Sequence, residues 1–177
     1  MNFYQLLRPT AKMGIIFTLT MSAILLYLTP AAYAHEGVTV SIPALNINSG
    51  IARFPLNGIS WTIRPWEQGI GHLEGTGWFS DGGNIALAGH SVMPDSTPGI
   101  FSQLHLMNVG DEIVVEAGDG QRSYTVTSIG NIPINDLTVL YPTGSERLTL
   151  VTCDANSFDS QSQSYLRRVI VVVERTA

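Results

Sequence analysis

The stretch DEIVVEAGDGQRSYTVTSIG, residues 111–130, decides the fold class of this chain. Two runs in which apolar and polar residues alternate flank the turn residues Gly118-Asp119-Gly120. Alternation with a period of two turns one face of an extended strand toward a core, and the Gly/Asp cluster favours a tight turn between the two runs. The stretch therefore predicts a β-hairpin.

Further strand signals lie on both sides of this hairpin. VTVSI (38–42) alternates, GNIALAGH (83–90) is a short apolar run, and ERLTLVTCD (146–154) and RRVIVVVER (167–175) are rich in β-branched residues. Helix or turn signals are short and lie at 98–107 and 133–142. Several short strands separated by turn signals predict an all-β domain, either a barrel or a sandwich.

The N-terminal region has a different composition. Arg8 and Lys12 precede an uncharged apolar run that extends to Ala34. Cations before such a run direct the following chain across the membrane. The run is either retained as a short membrane anchor or removed as a signal peptide, with Ala32 and Ala34 at the small-residue positions of a cleavage site. Both outcomes place the following domain outside the cytoplasm.

Composition limits the kinds of partner that this chain can bind. With 177 residues, 45% of them apolar and 13% charged, it is expected to fold as one domain with a real core. The net charge is −5 and no Lys follows Ala34, so no basic surface is available and nucleic acid is excluded as a partner. The single cysteine, Cys153, cannot form an internal disulfide.

Cys153 is either a buried packing residue or a reactive thiol. A reactive thiol needs a nearby base or positive charge, because the thiolate is the nucleophile. Of the four histidines, His35, His72, His90 and His105, we favour His90, since an apolar strand delivers it at the end of a rigid element.

Chemistry at an acyl carbon also requires a group that stabilises the oxyanion. Arg167 and Arg168 open the strand that follows the polar segment after Cys153. A guanidinium stays charged at every relevant pH and presents a rigid fork of donors. Because strand side chains alternate, only one of the two arginines is expected to face a cleft shared with Cys153.

Three of these stretches resemble motifs of the sortases, the cysteine transpeptidases of bacterial cell surfaces. LTLVTCD (148–154) is similar to their Leu-x-Thr-Cys motif. GNIALAGHS (83–91) resembles the strand that ends in their catalytic histidine, and RRVIVVVE (167–174) resembles the strand that opens with their arginine. The resemblance covers essentially the whole exported domain. Ser91 stands where many sortases have Arg or Asn, which leaves the subclass open.

The resemblance implies an eight-stranded β-barrel with short helices and assigns roles to individual residues. Cys153 would be the nucleophile, His90 the general acid and base, and Arg167 the residue that binds substrate and stabilises the oxyanion, with Arg168 as the alternative. The substrate-binding residues would be Thr152, Ala88, Gly89 and Arg168. Neither a cofactor nor a metal ion is expected.

The chain is accordingly divided into an anchor or signal peptide (1–34), a linker with entry into the first strand (35–45) and a sortase-like catalytic domain (46–177). We expect an extracytoplasmic, membrane-anchored monomer, or a secreted one after cleavage following Ala34. The segment 132–146 should form an apolar groove for part of the substrate. The polar segment 154–166, rich in Ser and Gln, should border the leaving-group or acceptor side as a mobile gate.

The resemblance implies cleavage of an LPXTG-like sorting signal of a surface protein between Thr and Gly. The reaction would pass through a thioester on Cys153, and the acyl group would be transferred to an amine of the cell wall or of a pilin. Two alternatives remain at this stage. The same site could act as a peptide hydrolase, or the chain could be a non-catalytic exported β-barrel that binds a ligand, with Cys153 merely buried.

Overall fold

The computed structural model describes residues 34–176, with side chains described from residue 37 onward. The predicted anchor or signal peptide therefore lies outside the described residues except for Ala34. The strands in the described part are β1 (Ala34–Ile42), β2 (Ile47–Phe54), β3 (Leu56–Asn57), β4 (Ser60–Trp61), β5 (Ile70–Leu73), β6 (Asn84–Ala88), β7 (Glu112–Ala117), β8 (Gly120–Pro133), β9 (Arg147–Cys153), β10 (Phe158–Asp159), β11 (Ser164–Tyr165) and β12 (Arg167–Arg175).

Eight of these strands close into a barrel in the order β1-β2-β5-β6-β9-β12-β8-β7. The pairs β2–β5 and β6–β9 are parallel, and the other neighbours in the barrel are antiparallel. Two ribbons, β3–β4 and β10–β11, lie outside the barrel. The predicted all-β fold with an eight-stranded barrel is confirmed, and closure of the sheet removes the sandwich alternative.

The hairpin predicted at 111–130 is formed by β7 and β8. Ala117 pairs with Gly120, so the turn is Gly118-Asp119. Ile113 and Val115 are fully buried while their neighbours in β7 are less so, as the alternating pattern requires. Strand β8 continues past the predicted end to Pro133, because its residues 124–133 pair with β12.

The predicted helical segment at 98–107 contains only one short 3-10 helix, Leu104–Leu106. Its first residues instead bind the backbone after β6. Gly99 N–H donates to the Ser91 carbonyl at 3.0 Å, and Phe101 N–H donates to the His90 carbonyl at 2.9 Å. Donors used in this way do not build a helix, so the segment folds as turns. Three further 3-10 helices in the described part are Pro43–Leu45, Thr138–Leu140 and Ala155–Ser157.

Side-chain alternation separates two cores. The barrel interior includes Ile85 and Leu87 from β6, Leu148 and Leu150 from β9, and Phe101; all five are fully buried. Each such side chain contributes about 1.5–3 kcal/mol of transfer free energy. A smaller apolar cluster lies on the outer face and comprises Phe54, Leu73, Ala86 and Ala88, with Trp61, Ile63, Leu140 and Val151 packed against it.

The polar segment after Cys153 has more structure than its composition suggests. It contains the 3-10 helix Ala155–Ser157 and the ribbon β10–β11, in which the rings of Phe158 and Tyr165 are 5.1 Å apart. Leu166 N–H donates to the Ser157 carbonyl at 3.0 Å. None of the helices within residues 34–176 combines the length and the apolar character that crossing a membrane requires.

Candidate active site

The ends of β6 and β9 bring His90 and Cys153 together. These neighbouring strands are parallel, with Ala88 paired to Val151. Beyond that pair, Gly89 N–H donates to the Val151 carbonyl at 3.3 Å, and Thr152 Oγ1 donates to the Gly89 carbonyl at 2.8 Å. His90 and Cys153 are the next residues on the two strands, so they leave the same edge of the barrel as neighbours.

Both side chains extend the outer face of the barrel. In a strand, residues two apart share a face. Val151 belongs to the outer cluster, and Cys153 follows it by two residues in β9. His90 follows Ala88 of the same cluster by two residues, and its ring binds the segment that carries Ile63. The thiol and the imidazole therefore open onto one surface.

Strand pairing distinguishes the two arginines. Arg168 is directly opposite Cys153 in the antiparallel β9–β12 pair, so the two side chains share the outer face. Arg167 lies on the same face of β12 as Val169 and Val171, which face the barrel interior. Arg167 itself is exposed at the rim. The arginine that shares a face with the thiol is Arg168, the alternative left open by the sequence.

Two opposing effects act on the half-buried thiol of Cys153. Burial raises the pKa of the Cys153 thiol, because the thiolate loses solvation, and the positive charge of Arg168 acts to lower it. The Arg168 guanidinium is held by hydrogen bonds from Nη1 to the carbonyls of Tyr165 and Arg167, at 2.9 and 3.0 Å. A fixed cation thus favours the reactive form of the thiol.

His90 is held by its neighbours along the backbone and at its ring. Nε2 lies 2.9 Å from the Arg64 carbonyl oxygen. Behind it, a Cβ added at Gly99 would collide with the His90 carbonyl oxygen, and one added at Gly89 would approach Ile100 Cγ2 to 2.7 Å. Both glycines permit close packing of the turn after β6, and sequence reasoning missed the role of Gly99.

Of the other histidines, His72 does not join this site, whereas His105 lines a cavity that also includes Cys153. His72 is buried in β5, with Nε2 at 2.8 Å from the Gly77 carbonyl and 3.0 Å from Thr76 Oγ1, and its ring packs on Trp78. His105 is exposed on the 3-10 helix Leu104–Leu106. The side chain of His35 lies outside the described residues.

The predicted substrate-binding residues occupy different positions. Ala88 lines a groove on the outer face. The Thr152 hydroxyl is buried and bonded to the Gly89 carbonyl, and Gly89 packs against Ile100 and Phe101. Thr152 and Gly89 therefore connect the strands that carry Cys153 and His90.

The groove on the outer face has a volume of about 320 Å³, and Arg168 is one of its lining residues. Its walls are mostly apolar and come from Ile59, Ser60, Trp61, Ile63, Leu73, Ala88, Ile132, Ile134, Asp136, Leu137, Val139, Leu140, Val151 and Ile170. The predicted segment 132–146 supplies one wall. The opposite wall, the β3–β4 ribbon with the residues after it, was missed, although Asn57-Gly58 is a recognisable hairpin-turn signal.

A second cavity, of about 330 Å³, lies at the rim beside Cys153 and is more polar. Its lining includes Ser91, His105, Asn131 and Asp154. Asp154 is buried, and its carboxylate accepts from Asn156 N–H at 3.0 Å and from Asn131 Nδ2 at 3.3 Å. The Ser91 hydroxyl is also buried and has no hydrogen-bond partner. Among the side chains of residues 37–176, no three His, Cys, Asp or Glu residues gather as a metal site.

Comparison with protein families gives one match over most of the chain. The profile of the sortase domain family matches residues 40–176. Among curated proteins, Sortase A of Bacillus anthracis is 30% identical over 71 residues, which is 40% of this chain and 33% of the relative. Sortase A of Listeria monocytogenes is 33% identical over 72 residues, 41% of this chain and 32% of the relative. The aligned stretches span about a third of the length of these curated relatives.

The fold is also similar to that of solved structures. Sortase C1 from Streptococcus agalactiae superposes with a TM-score of 0.62 and 27% sequence identity. The match covers 78% of this chain and 66% of that chain.

Proposed function

Because the chain belongs to the sortase family, we propose that it is an extracytoplasmic cysteine transpeptidase that acts on sorting signals of surface proteins. The signal is of the LPXTG kind and is cleaved between Thr and Gly. The observation that carries this proposal is the meeting of His90, Cys153 and Arg168 at the ends of three adjacent strands, beside an apolar groove.

Cys153 is the nucleophile of the proposed reaction. Its Sγ attacks the carbonyl carbon of the signal Thr, and the developing oxyanion is stabilised by Arg168 together with a backbone N–H. The bond from that carbon to the Gly nitrogen then breaks, and His90 donates a proton to the departing amine. The product of this step is a thioester on Cys153. An oxyanion donor of this kind contributes about 100- to 1,000-fold in rate.

The second half of the reaction releases the thioester. An incoming amine attacks the same carbonyl carbon and loses a proton to His90. The bond from carbon to Sγ breaks, a new amide forms, and the thiolate is regenerated. The partner is an amine of the cell wall or of a pilin.

Arg168 rather than Arg167 is assigned to the oxyanion. The pairing of Arg168 with Cys153 supports this choice, as does the effect of its charge on the thiol. Arg167 is exposed and lies on the opposite face of β12 from Arg168. Its carbonyl accepts a hydrogen bond from Asp154 N–H at 3.0 Å. Its backbone therefore fixes the turn after Cys153.

The apolar groove binds the Leu-Pro part of the signal. Ile132, Ile134 and Leu137 on one wall face Trp61 and Ile63 on the other, with few polar groups between them. A leucine side chain buried there gains about 1.5–3 kcal/mol from removal of its apolar surface from water. With the Leu-Pro residues so placed, the Thr carbonyl reaches the thiol at the end that Arg168 marks.

The polar cavity binds the acceptor amine. Its buried Asp154 carboxylate and unpartnered Ser91 hydroxyl suit an ammonium group or amine approaching Cys153 from the side opposite the groove. Ser91→Ala is expected to lower the ratio of amide to free acid without slowing peptide cleavage. The exposed Ser80→Ala is the matched control, and an unchanged ratio would remove the cavity from the proposal.

The location of the enzyme is part of the proposal. Residues 1–34 anchor the catalytic domain, residues 46–177, as a monomer at the outer surface of the membrane, and residues 35–45 connect the two. Cleavage after Ala34 would instead release the domain. Mass spectrometry of cell fractions distinguishes these two outcomes. A product that begins at His35 indicates cleavage after Ala34, and an intact chain in the membrane fraction indicates a retained anchor.

The test of the function is product analysis by mass spectrometry. The protein is incubated with a panel of LPXTG-like peptides, with and without a glycine-based amine, beside Cys153→Ala. Cleavage between Thr and Gly with an amide product, absent in the variant, is the expected result. Free acid alone, even with amine present, would indicate a hydrolase. No cleavage of any peptide, with a thiol that resists alkylation until unfolding, would indicate a binding barrel.

A further inference from the structure

The ring of His90 has a specific contact that the reaction above does not explain. Nε2 of His90 lies 2.9 Å from the carbonyl oxygen of Arg64, in the segment between β4 and β5. A carbonyl oxygen only accepts hydrogen bonds, so the nitrogen at this distance must carry the proton. In the neutral imidazole the other nitrogen is then the one without a proton.

We propose that the Arg64 carbonyl holds His90 in the Nε2–H tautomer, so that Nδ1 is the atom that exchanges protons during catalysis. Arg64 is thus a positioning residue that acts through its backbone. The inference rests on the proposed function for the catalytic use of Nδ1. The tautomer itself does not depend on that function.

The proton inventory follows from this assignment. Nδ1 takes the proton of the Cys153 thiol as Sγ becomes the nucleophile, and the ring becomes an imidazolium with protons on both nitrogens. Nδ1 then gives that proton to the departing glycine amine. In the second half Nδ1 receives a proton from the incoming amine and returns it to the thiolate. The Nε2 proton stays on the Arg64 carbonyl throughout, so the ring does not need to turn over.

The position of the Arg64 carbonyl is fixed from several directions. The same oxygen accepts from Glu67 N–H at 3.0 Å, which closes a tight turn over residues 64–67. Pro65 restricts Arg64 to extended backbone conformations and so limits the direction of its carbonyl. Upstream, Trp61 Nε1 donates to the Glu74 carbonyl at 2.8 Å, which attaches the segment to the end of β5.

This segment also forms a wall of the groove. Trp61 and Ile63 line the groove and pack against the outer apolar cluster, and Arg64 is the next residue. A signal peptide in the groove would pack against the same piece of chain that orients the imidazole. The base and the binding wall are therefore parts of one local structure.

The direct test is the ¹⁵N spectrum of the histidines in the full chain held in detergent micelles. The sample is labelled at histidine, the His90 signals are assigned with His90→Gln, and spectra are recorded at an alkaline pH where the rings are neutral. We expect His90 to show a protonated Nε2 and an unprotonated Nδ1, in the native protein and in Cys153→Ala. An Nδ1–H tautomer, a mixture of both, or a change of tautomer in Cys153→Ala would overturn the proposal.

A matched pair of proline variants tests the origin of the tautomer. Pro65→Ala frees the Arg64 carbonyl, and Pro43→Ala frees the Ile42 carbonyl at the start of the 3-10 helix Pro43–Leu45, whose residues do not line the groove. Both prolines are exposed. We expect Pro65→Ala to mix the two tautomers and to lower kcat by about tenfold, with a smaller change in KM, because a catalytic group displaced by 1 Å costs up to about 100-fold.

Pro43→Ala should keep the tautomer and the native kcat. A pure Nε2–H tautomer in Pro65→Ala would overturn the role of Arg64. Loss of peptide cleavage in the native protein, with the tautomer present, would instead count against the proposed function alone.

Discussion

Arg168 pairs directly with Cys153 across strands β9 and β12. Arg167, one residue earlier, is exposed and lies on the other face of the same strand. Two adjacent residues of identical chemistry are thereby given different environments. Burial raises the Cys153 pKa, and the positive charge of Arg168 acts to lower it. Arg167 therefore provides an internal control for the proposed role of Arg168.

The first prediction concerns this pair. Arg168→Ala should lower kcat/KM for peptide cleavage by about 100- to 1,000-fold, because it removes a donor to the oxyanion. Arg167→Ala should stay within about threefold of the native rate, because surface charges away from a site contribute little. Steady-state kinetics of the two variants measure both effects. Equal losses in the two variants, or a larger loss in Arg167→Ala, would reverse the assignment.

The pH dependence of alkylation is the second prediction. Burial raises the pKa of the Cys153 thiol, so its reaction with iodoacetamide should rise at higher pH than that of an exposed thiol. Arg168 opposes this shift. Its removal in Arg168→Ala should therefore raise the pKa further and move the alkylation profile to still higher pH.

Intact-mass measurements of the alkylated fraction over a pH series give the profile. Arg167→Ala is the control and should keep the native profile. A shift of the profile to lower pH in Arg168→Ala would show that the arginine does not stabilise the thiolate.

The third prediction concerns the hydrogen bond between the strands that carry Cys153 and His90. Thr152→Val removes the donor to the buried Gly89 carbonyl, and an unsatisfied buried acceptor costs about 1–3 kcal/mol of unfolding free energy. Thr152→Ser keeps a hydroxyl and should lose less. Urea unfolding of both variants measures the difference. A Val variant as stable as the Ser variant would show that this bond does not join the two strands.

Gly99 is the subject of the fourth prediction. A methyl group at this position would press on the His90 carbonyl, so Gly99→Ala should lower the unfolding free energy by about 1–3 kcal/mol and slow catalysis by displacing the imidazole. Gly118→Ala is the matched control, because a Cβ there meets no atom within 4 Å. Equal unfolding free energies and equal rates of peptide cleavage in the two variants would show that Gly99 does not position His90.

Much of the fold was predictable from local patterns. The alternation in β7 and in the first half of β8 is clear because each buries one face there, and the turn at Gly118-Asp119 has clear chemistry. Strands β9 and β12 bury residues on both faces, and their β-branched residues identified them instead. The groove wall made by β3 and β4 was not predicted. These strands have two residues each, too few for a period to show. The segment 98–107 was misjudged because its backbone donors bind Ser91 and His90, contacts that no local pattern reveals.

The candidate site was predictable in its residue types but not in its geometry. His90 and Cys153 were each recognisable as candidate catalytic residues because each stands at the end of a predicted strand. Their meeting depends on the parallel pairing of β6 with β9, which joins distant parts of the chain. The choice between Arg167 and Arg168 depends on a one-residue register between β9 and β12. Either arginine satisfies the sequence pattern, and only the paired strand decides which one faces the thiol.

In the proposed reaction, Cys153 carries the acyl group between two amines. Intact-mass spectrometry of the native protein, incubated with the LPXTG-like peptides and no added amine, tests it most directly. We expect an added mass equal to that of the peptide up to its Thr less one water, located on Cys153 by digestion and discharged as an amide when amine is supplied. Cleavage with no adduct on Cys153, or with an adduct on another residue, would contradict it.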